Sequence, residues 1–235
     1  MPCLRPGTQR HSTGRLLNQV GLYLLARGQF PDAKTALERA VGITEKVLGP
    51  DHPTTASSLN NLGLLLRAQG DLAGARLYYE RALAIREKVL GPDHPDIAGS
   101  LNNLGALLRS QGDLADARPY FERALAIYQQ RGDHYQEGVS FFQLGRLAMQ
   151  MGHQVEGARL LAVCFLIDQE IGHADTEQDS RNLTAITDRL GYSQDQLEAM
   201  LREVAEAYRA DRGRSLVQAA FAATEADEGA PGPGA

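Results

Sequence analysis

Apolar residues along this chain recur at steps of three and four. Leu59, Leu62 and Leu66 form one such stripe, the pattern of an amphipathic helix with one buried face. The triplet Gln69-Gly70-Asp71 interrupts it, with Gly70 as a helix stop and Asp71 as the N-cap of the next helix. A second stripe then runs through Leu72, Ala75, Tyr79, Ala82 and Leu83. The run LGPDHP ends that helix. Gly49 or Gly91 takes the left-handed conformation that closes a helix, and the proline after it cannot continue one. Asp51 and Asp93 are expected to cap the following helices, whose first turns tolerate a proline because their N–H groups lack helical partners. The pattern predicts short helices joined in pairs.

These units repeat. The nonapeptide EKVLGPDHP stands at residues 45–53 and again at 87–95, an offset of 42. SLNNLG recurs at 58–63 and 100–105, and ERALAI at 80–85 and 122–127, at the same offset. Gly21, Gly63 and Gly105 keep it too, and a fourth copy follows at Gly145, 40 residues on, where the connecting loop changes to RGDHYQEG. A fixed period of this length marks stacked repeats, in which each unit buries its apolar face only against its neighbours. The identical joints hold identical angles between successive helix pairs.

Small residues mark where paired helices approach. Ala33, Ala75, Ala117 and Gly157 each follow the repeat glycine by twelve residues. Tyr79, Phe121 and Leu161 come four residues later, large side chains that fill the gap left by a small residue opposite. Leu59, Leu62, Gly63, Ala75, Tyr79 and Ala82 together resemble the tetratricopeptide repeat. Leu101, Leu104, Gly105, Ala117, Phe121 and Ala124 match equally well, while the first and fourth copies are more degenerate. The 42-residue form is similar to the repeats of kinesin light chains and of many bacterial proteins. The resemblance implies an all-α, right-handed superhelix of four helix pairs, at 14–50, 51–92, 93–132 and 133–171, with a helical cap over 172–222. Residues 1–13 are expected to be a disordered tail, as is the acidic, Pro/Gly-rich segment 223–235. The run over 189–222, with Leu190-Gly191 followed by Gly213-Arg214-Ser215-Leu216 and Ala219, resembles the closing segment of bacterial nucleotide-binding regulators of the STAND type. That resemblance implies an alternative role, the sensor arm of such a regulator.

Charge and motifs narrow the chemistry. The net charge of −5 comes from mixed acids and bases, which argues against a nucleic-acid partner, since phosphate contact needs a clustered basic face. The longest apolar run, residues 160–167, is far below the ~20 residues of a membrane span. Two cysteines, Cys3 and Cys164, make no disulfide framework, and a cytoplasmic location is expected. No phosphate loop or zinc motif is present. His52 and His94 read as surface joints, and Cys164 as a core thiol without a base to activate it. The expectation is a non-enzymatic protein with no cofactor and no metal.

Asparagine is a mediocre helix former, yet the first helices carry Asn18, Asn60 and Asn102, followed by Gln19, Asn61 and Asn103, with Gln143 in the fourth copy. In a tetratricopeptide stack the first helices line the concave wall. The resemblance therefore sets Gln19, Asn60, Asn61, Asn102, Asn103 and Gln143 along a groove, where amides suit the backbone of an extended peptide. Arg67 and Arg109 add guanidinium groups for an acidic side chain or terminus. The amides can equally brace the stack from within. The flanking cations of the related two-carboxylate clamp are missing, with Val139 and Phe142 in their places. The function expected is that of a scaffold binding a protein or an extended, acidic peptide.

Overall fold

Eleven helices account for the regular structure of the computed structural model, which describes the backbone over residues 6–227 and side chains over 12–222. In order they are α1 (Pro6–Ala26), α2 (Phe30–Leu48), α3 (Pro53–Ala68), α4 (Leu72–Leu90), α5 (Pro95–Gln111), α6 (Leu114–Arg131), α7 (His134–Gln150), α8 (Gln154–Ile171), α9 (Thr176–Arg189), α10 (Gln194–Asp211) and α11 (Arg214–Asp227). Among the described residues there is no strand, and no helix is long and apolar enough to cross a membrane. The chain divides after Gly112 into two compact units.

In the first unit α1 packs on α2 and α3 on α4, while α2 also meets α3 and α4 meets α5. The close contact inside a pair is set by one glycine and one large side chain. A Cβ added at Gly63 would lie 2.7 Å from the Tyr79 ring, and one at Gly21 would lie 2.5 Å from Leu37. Real Cβ atoms do not approach so closely, so glycine alone lets the two axes come together over these side chains. Tyr79 and Leu37 are fully buried as a result, with Ala33, Ala40, Ala75 and Ala82 beside them.

The joints between pairs depart from expectation in two respects. Gly49 and Gly91 have positive φ, 97° and 82°, which favours glycine, but with ψ 161° neither takes the expected left-handed cap conformation. The caps of α3 and α5 are His52 and His94 rather than Asp51 and Asp93. His52 Nδ1 accepts from the Thr54 N–H at 3.0 Å, and His94 Nδ1 from the Asp96 N–H at 3.2 Å. Proline occupies the first helical position, so the residue directly before it must be the cap. Asp51 instead accepts from Lys88 Nζ at 2.5 Å on the exposed side of the joint.

In the second unit α7 packs on α8 and on α6, and α8 carries α9, α10 and α11. Here Gly145 and Leu161 repeat the glycine–large contact, with a Cβ at Gly145 only 3.0 Å from Leu161 Cγ. The closing helices are tied down by polar as well as apolar contacts. His153 Nδ1 lies 2.7 Å from the Ala220 carbonyl oxygen, and the Arg118 guanidinium sits 4.7 Å over the Phe221 ring.

Helical structure reaches further at both ends than composition implied. α1 begins at Pro6, so residues 6–13, expected in a disordered tail, are helical. Pro6 fits the first helical position, where a missing N–H costs nothing. α11 continues through Asp227, five residues into the segment expected to be disordered. The rest of that segment, and residues 1–5, lie outside the described residues.

Candidate functional site

The first helices of the first unit share a face. Arg15, Asn18 and Gln19 on α1, Ser57 and Asn61 on α3, and Asp96 at the start of α5 line a cavity of about 390 Å³. Two of the amides expected to face a groove, Gln19 and Asn61, meet there. Asn60, Asn102, Asn103, Arg67 and Arg109 lie on the same helices, α3 and α5, outside this cavity. Gln143 belongs to α7 of the second unit.

The asparagines also bond to one another across the repeats. Asn61 Nδ2 donates to Asn18 Oδ1 at 3.4 Å, and Asn103 Nδ2 donates to Asn60 Oδ1 at 2.8 Å. Asn18 Nδ2 donates in turn to Ser58 Oγ at 2.7 Å. Each rung joins one copy to the next through the first asparagine of one pair and the second of the following. Asn18 and Asn60 are buried, whereas Asn61 and Asn103 are half-buried. The first asparagine is thus committed to the stack. The second, half-buried, still carries its own carbonyl oxygen and a second N–H.

The rigidity of that face depends on a residue the sequence reading passed over. Arg86 on α4 is buried. Its Nη1 donates to Ser100 Oγ at 2.5 Å and to the Asp96 carbonyl at 3.1 Å, and its Nη2 to Ser57 Oγ at 3.3 Å. One planar guanidinium therefore ties the N-terminal halves of α3 and α5, two walls of the cavity, to α4. The signal lay in the period: positions 44, 86 and 128 hold Thr, Arg and Tyr. Thr44 makes the same contact one repeat earlier, donating to Ser58 Oγ at 3.4 Å.

A larger cavity, about 520 Å³, lies in the second unit, with Phe142, Leu161 and Ile186 on its walls and Arg146 and Arg189 beside them. It holds none of the asparagine rungs. Cys164 and Asp179 reach it, and with Asp168 they bring ligand-type atoms within 4.8 Å of one another. Burial raises the Asp179 carboxyl to about 6, helped by its hydrogen bond to Asp168 and by the charges of Asp168 and Asp175, and opposed by His173. Burial also pushes the Cys164 thiol up, with Asp179 and Asp168 adding to it. A thiol so raised is a poor nucleophile.

A close contact between a glycine and a large side chain at Gly21, Gly63 and Gly145, a 42-residue period and amide rungs between copies define an α-helical repeat protein. The chain belongs to the tetratricopeptide repeat family, whose profile matches residues 12–88, 78–130 and 96–161. No curated protein matches it. Among solved structures it is similar to a Podosopora anserina kinesin-light-chain protein with nearly identical TPR-like repeats, at 23% identity and TM-score 0.65, over 84% of this chain and 96% of that one. It is also similar to BtubC (BKLC) of P. vanneervenii, at 18% identity and TM-score 0.70, over 88% and 84% of the two chains. The apo form of RapI matches at 14% identity and TM-score 0.65, over 92% and 84%. At these identities the likeness is one of fold.

Proposed function

We propose that this protein is an interaction scaffold and that the α1–α3–α5 face of its first unit takes an extended peptide. The observation that carries the reading is the cavity that brings Gln19 and Asn61 together with Arg15, Ser57 and Asp96 on helices already braced to one another. Amides with a spare donor and acceptor match a peptide backbone. A face held rigid before binding leaves most of the ordering cost with the ligand. Arg67 and Arg109, in the last turns of α3 and α5, favour an acidic residue toward that end of the helices. Asp96 at the other end favours a neutral or basic one.

The test is an immobilised library of twelve-residue peptides probed with the wild-type chain and with the variant Asn61→Ala, Asn103→Ala, Arg67→Ala, Arg109→Ala. Wild type is expected to select peptides with an acidic residue. The variant is expected to lose about tenfold or more of that binding, with a melt lowered by the two broken amide rungs but still cooperative and above the assay temperature. Unchanged selection by the variant assigns binding to another surface.

A further inference from the structure

In the first unit, each first helix after α1 lies under the second helix of the pair before it. α3 turns Ser58, Leu62 and Leu65 toward α2: Thr44 on α2 bonds Ser58, and both leucines are buried. α5 repeats this with Ser100, Leu104 and Leu107 against α4, where Arg86 bonds Ser100 and both leucines are again buried. The same register positions on α1 hold Leu16, Val20 and Tyr23. These side chains are 58%, 39% and 60% exposed. Their spacing of four and three sets them in one stripe along the helix.

We propose that the Leu16–Val20–Tyr23 face of α1 docks an amphipathic helix from another protein, laid on α1 as α2 is laid on α3. The occupant follows from the repeat interface that this face continues. At the serine rung α1 has Leu16, so the incoming helix offers an apolar group where α2 has Thr44 and α4 has Arg86. A buried hydroxyl or guanidinium there would meet no partner. Charge argues against a second copy of this chain. α1 contains no acidic residue. Arg27 closes the stripe, its Nη1 donating to Tyr23 Oη at 3.0 Å and its guanidinium 5.6 Å over the Tyr23 ring. Pairing α1 with α1 would bring arginines toward arginines. Of the other exposed large apolar residues described, Leu22 lines the cavity of the α1–α3–α5 face, and Leu77, Val89 and Tyr135 form no matching stripe. The occupant is therefore a foreign helix with an apolar face and an acidic residue near Arg27. Other exposed stripes of this kind mark partner surfaces.

The probe is a fluorescein-labelled, helix-stapled peptide with the sequence of residues 29–48, the helix that covers the matching face of α3. It is used as the parent and with Thr44→Leu. Binding to the full chain is followed by fluorescence anisotropy. The Thr44→Leu peptide is expected to bind about fivefold more tightly than the parent, because it buries the added carbons on Leu16. The chain carrying Val20→Glu and Tyr23→Glu is expected to lose about tenfold or more with an unchanged helical melt, and Tyr23→Glu alone to give the same direction. Equal binding to the variants, or absence of saturable binding to wild type, overturns the proposal. Sedimentation of wild type as a dimer that Tyr23→Glu dissociates also overturns it, by assigning the face to a second copy.

Discussion

Glu137, fully buried in the first turn of α7, is ion-paired with Arg212, 75 residues further along the chain at the end of α10. Tyr208 Oη donates to the same carboxylate at 3.0 Å and Gln129 Nε2 at 3.1 Å, while Arg212 Nη1 donates to the Gln129 carbonyl at 3.0 Å. A buried charge is tolerated only when it is paired and fully hydrogen-bonded. This carboxylate on α7 is satisfied from α6 and from the end of α10, so it fixes where α10 sits. The backbone supports the pairing: Arg212 takes the left-handed conformation at φ 57°, and a Cβ on Gly213 beyond it would lie 2.7 Å from Phe141. Arg212→Ala is expected to cost about 2–3 kcal/mol, below the usual loss for a broken buried pair because the arginine is itself partly exposed. Urea unfolding of the full chain checks this. Glu137→Gln is expected to lose less, since the charge it leaves unpaired is the partly exposed Arg212 guanidinium and not a buried carboxylate.

Tyr79 gives a test of opposite sign. Its hydroxyl is buried and has no partner among the described residues. Burial pushes its pKa up to about 12 against the opposing charge of Arg67. An unsatisfied buried hydroxyl costs about 1–3 kcal/mol. Tyr79→Phe is therefore expected to raise the unfolding midpoint, with the ring still packed over Gly63. The chain already carries this exchange at Phe121, one period later and fully buried.

The parts of the fold that were legible in the sequence are those that repeat. Gly63 against Tyr79, the joints at Gly91 and the helix pairs all recur at a fixed offset, and recurrence separates a packing rule from an accident. Features that occur once were opaque. Glu137 lies where the repeat loop changes, and nothing in Arg-Gly-Asp-His-Tyr-Gln-Glu-Gly announces a buried carboxylate whose partner is 75 residues away. The segment around Gly213 did stand out, and the structure gives it a packing role, the tight turn against Phe141. The caps were misassigned between neighbours because aspartate and histidine both accept hydrogen bonds, and only the register of the following proline decides between them. For the candidate site, the amides were visible as poor helix formers. Their pairing was not, because it runs from the first asparagine of one copy to the second of the next, 43 residues on, rather than along the 42-residue period.

Asp179 sets a pH dependence. Its folded pKa of about 6 lies above the ordinary aspartate value, so between about pH 4 and 6 the folded state holds a proton that the unfolded chain releases. Stability contributed by this group therefore falls as pH rises through that window and is greatest at its acid end. The carboxyl is partly exposed, which limits the size of the effect. Thermal melts of wild type and Asp179→Asn at pH 5 and pH 7 isolate it. Asp179→Asn is expected to gain more at pH 7 than at pH 5.

The Asn60–Asn103 rung tests whether the amides brace the stack, serve the groove, or do both. Asn103→Ala leaves the buried Asn60 oxygen without its donor, an expected loss of about 1–3 kcal/mol. Asn60→Ala removes the buried acceptor and frees the half-exposed Asn103 amide to water, so it is expected to cost less. The two residues touch, so their effects do not add. The double variant is expected to be more stable than the sum of the single losses implies by about 0.5–1.5 kcal/mol, the worth of the shared bond. Chemical denaturation of the four members of this cycle supplies that number. Peptide binding, measured on the same four proteins, separates the roles. On the proposed reading, in which the peptide runs past the cavity along α5, Asn60→Ala is expected to retain most binding and Asn103→Ala to lose it. A coupling near zero would show that the rung contributes nothing to the stack. Equal loss of binding in both single variants would show that the groove depends on the bracing of α3 against α5 and not on the Asn103 amide itself.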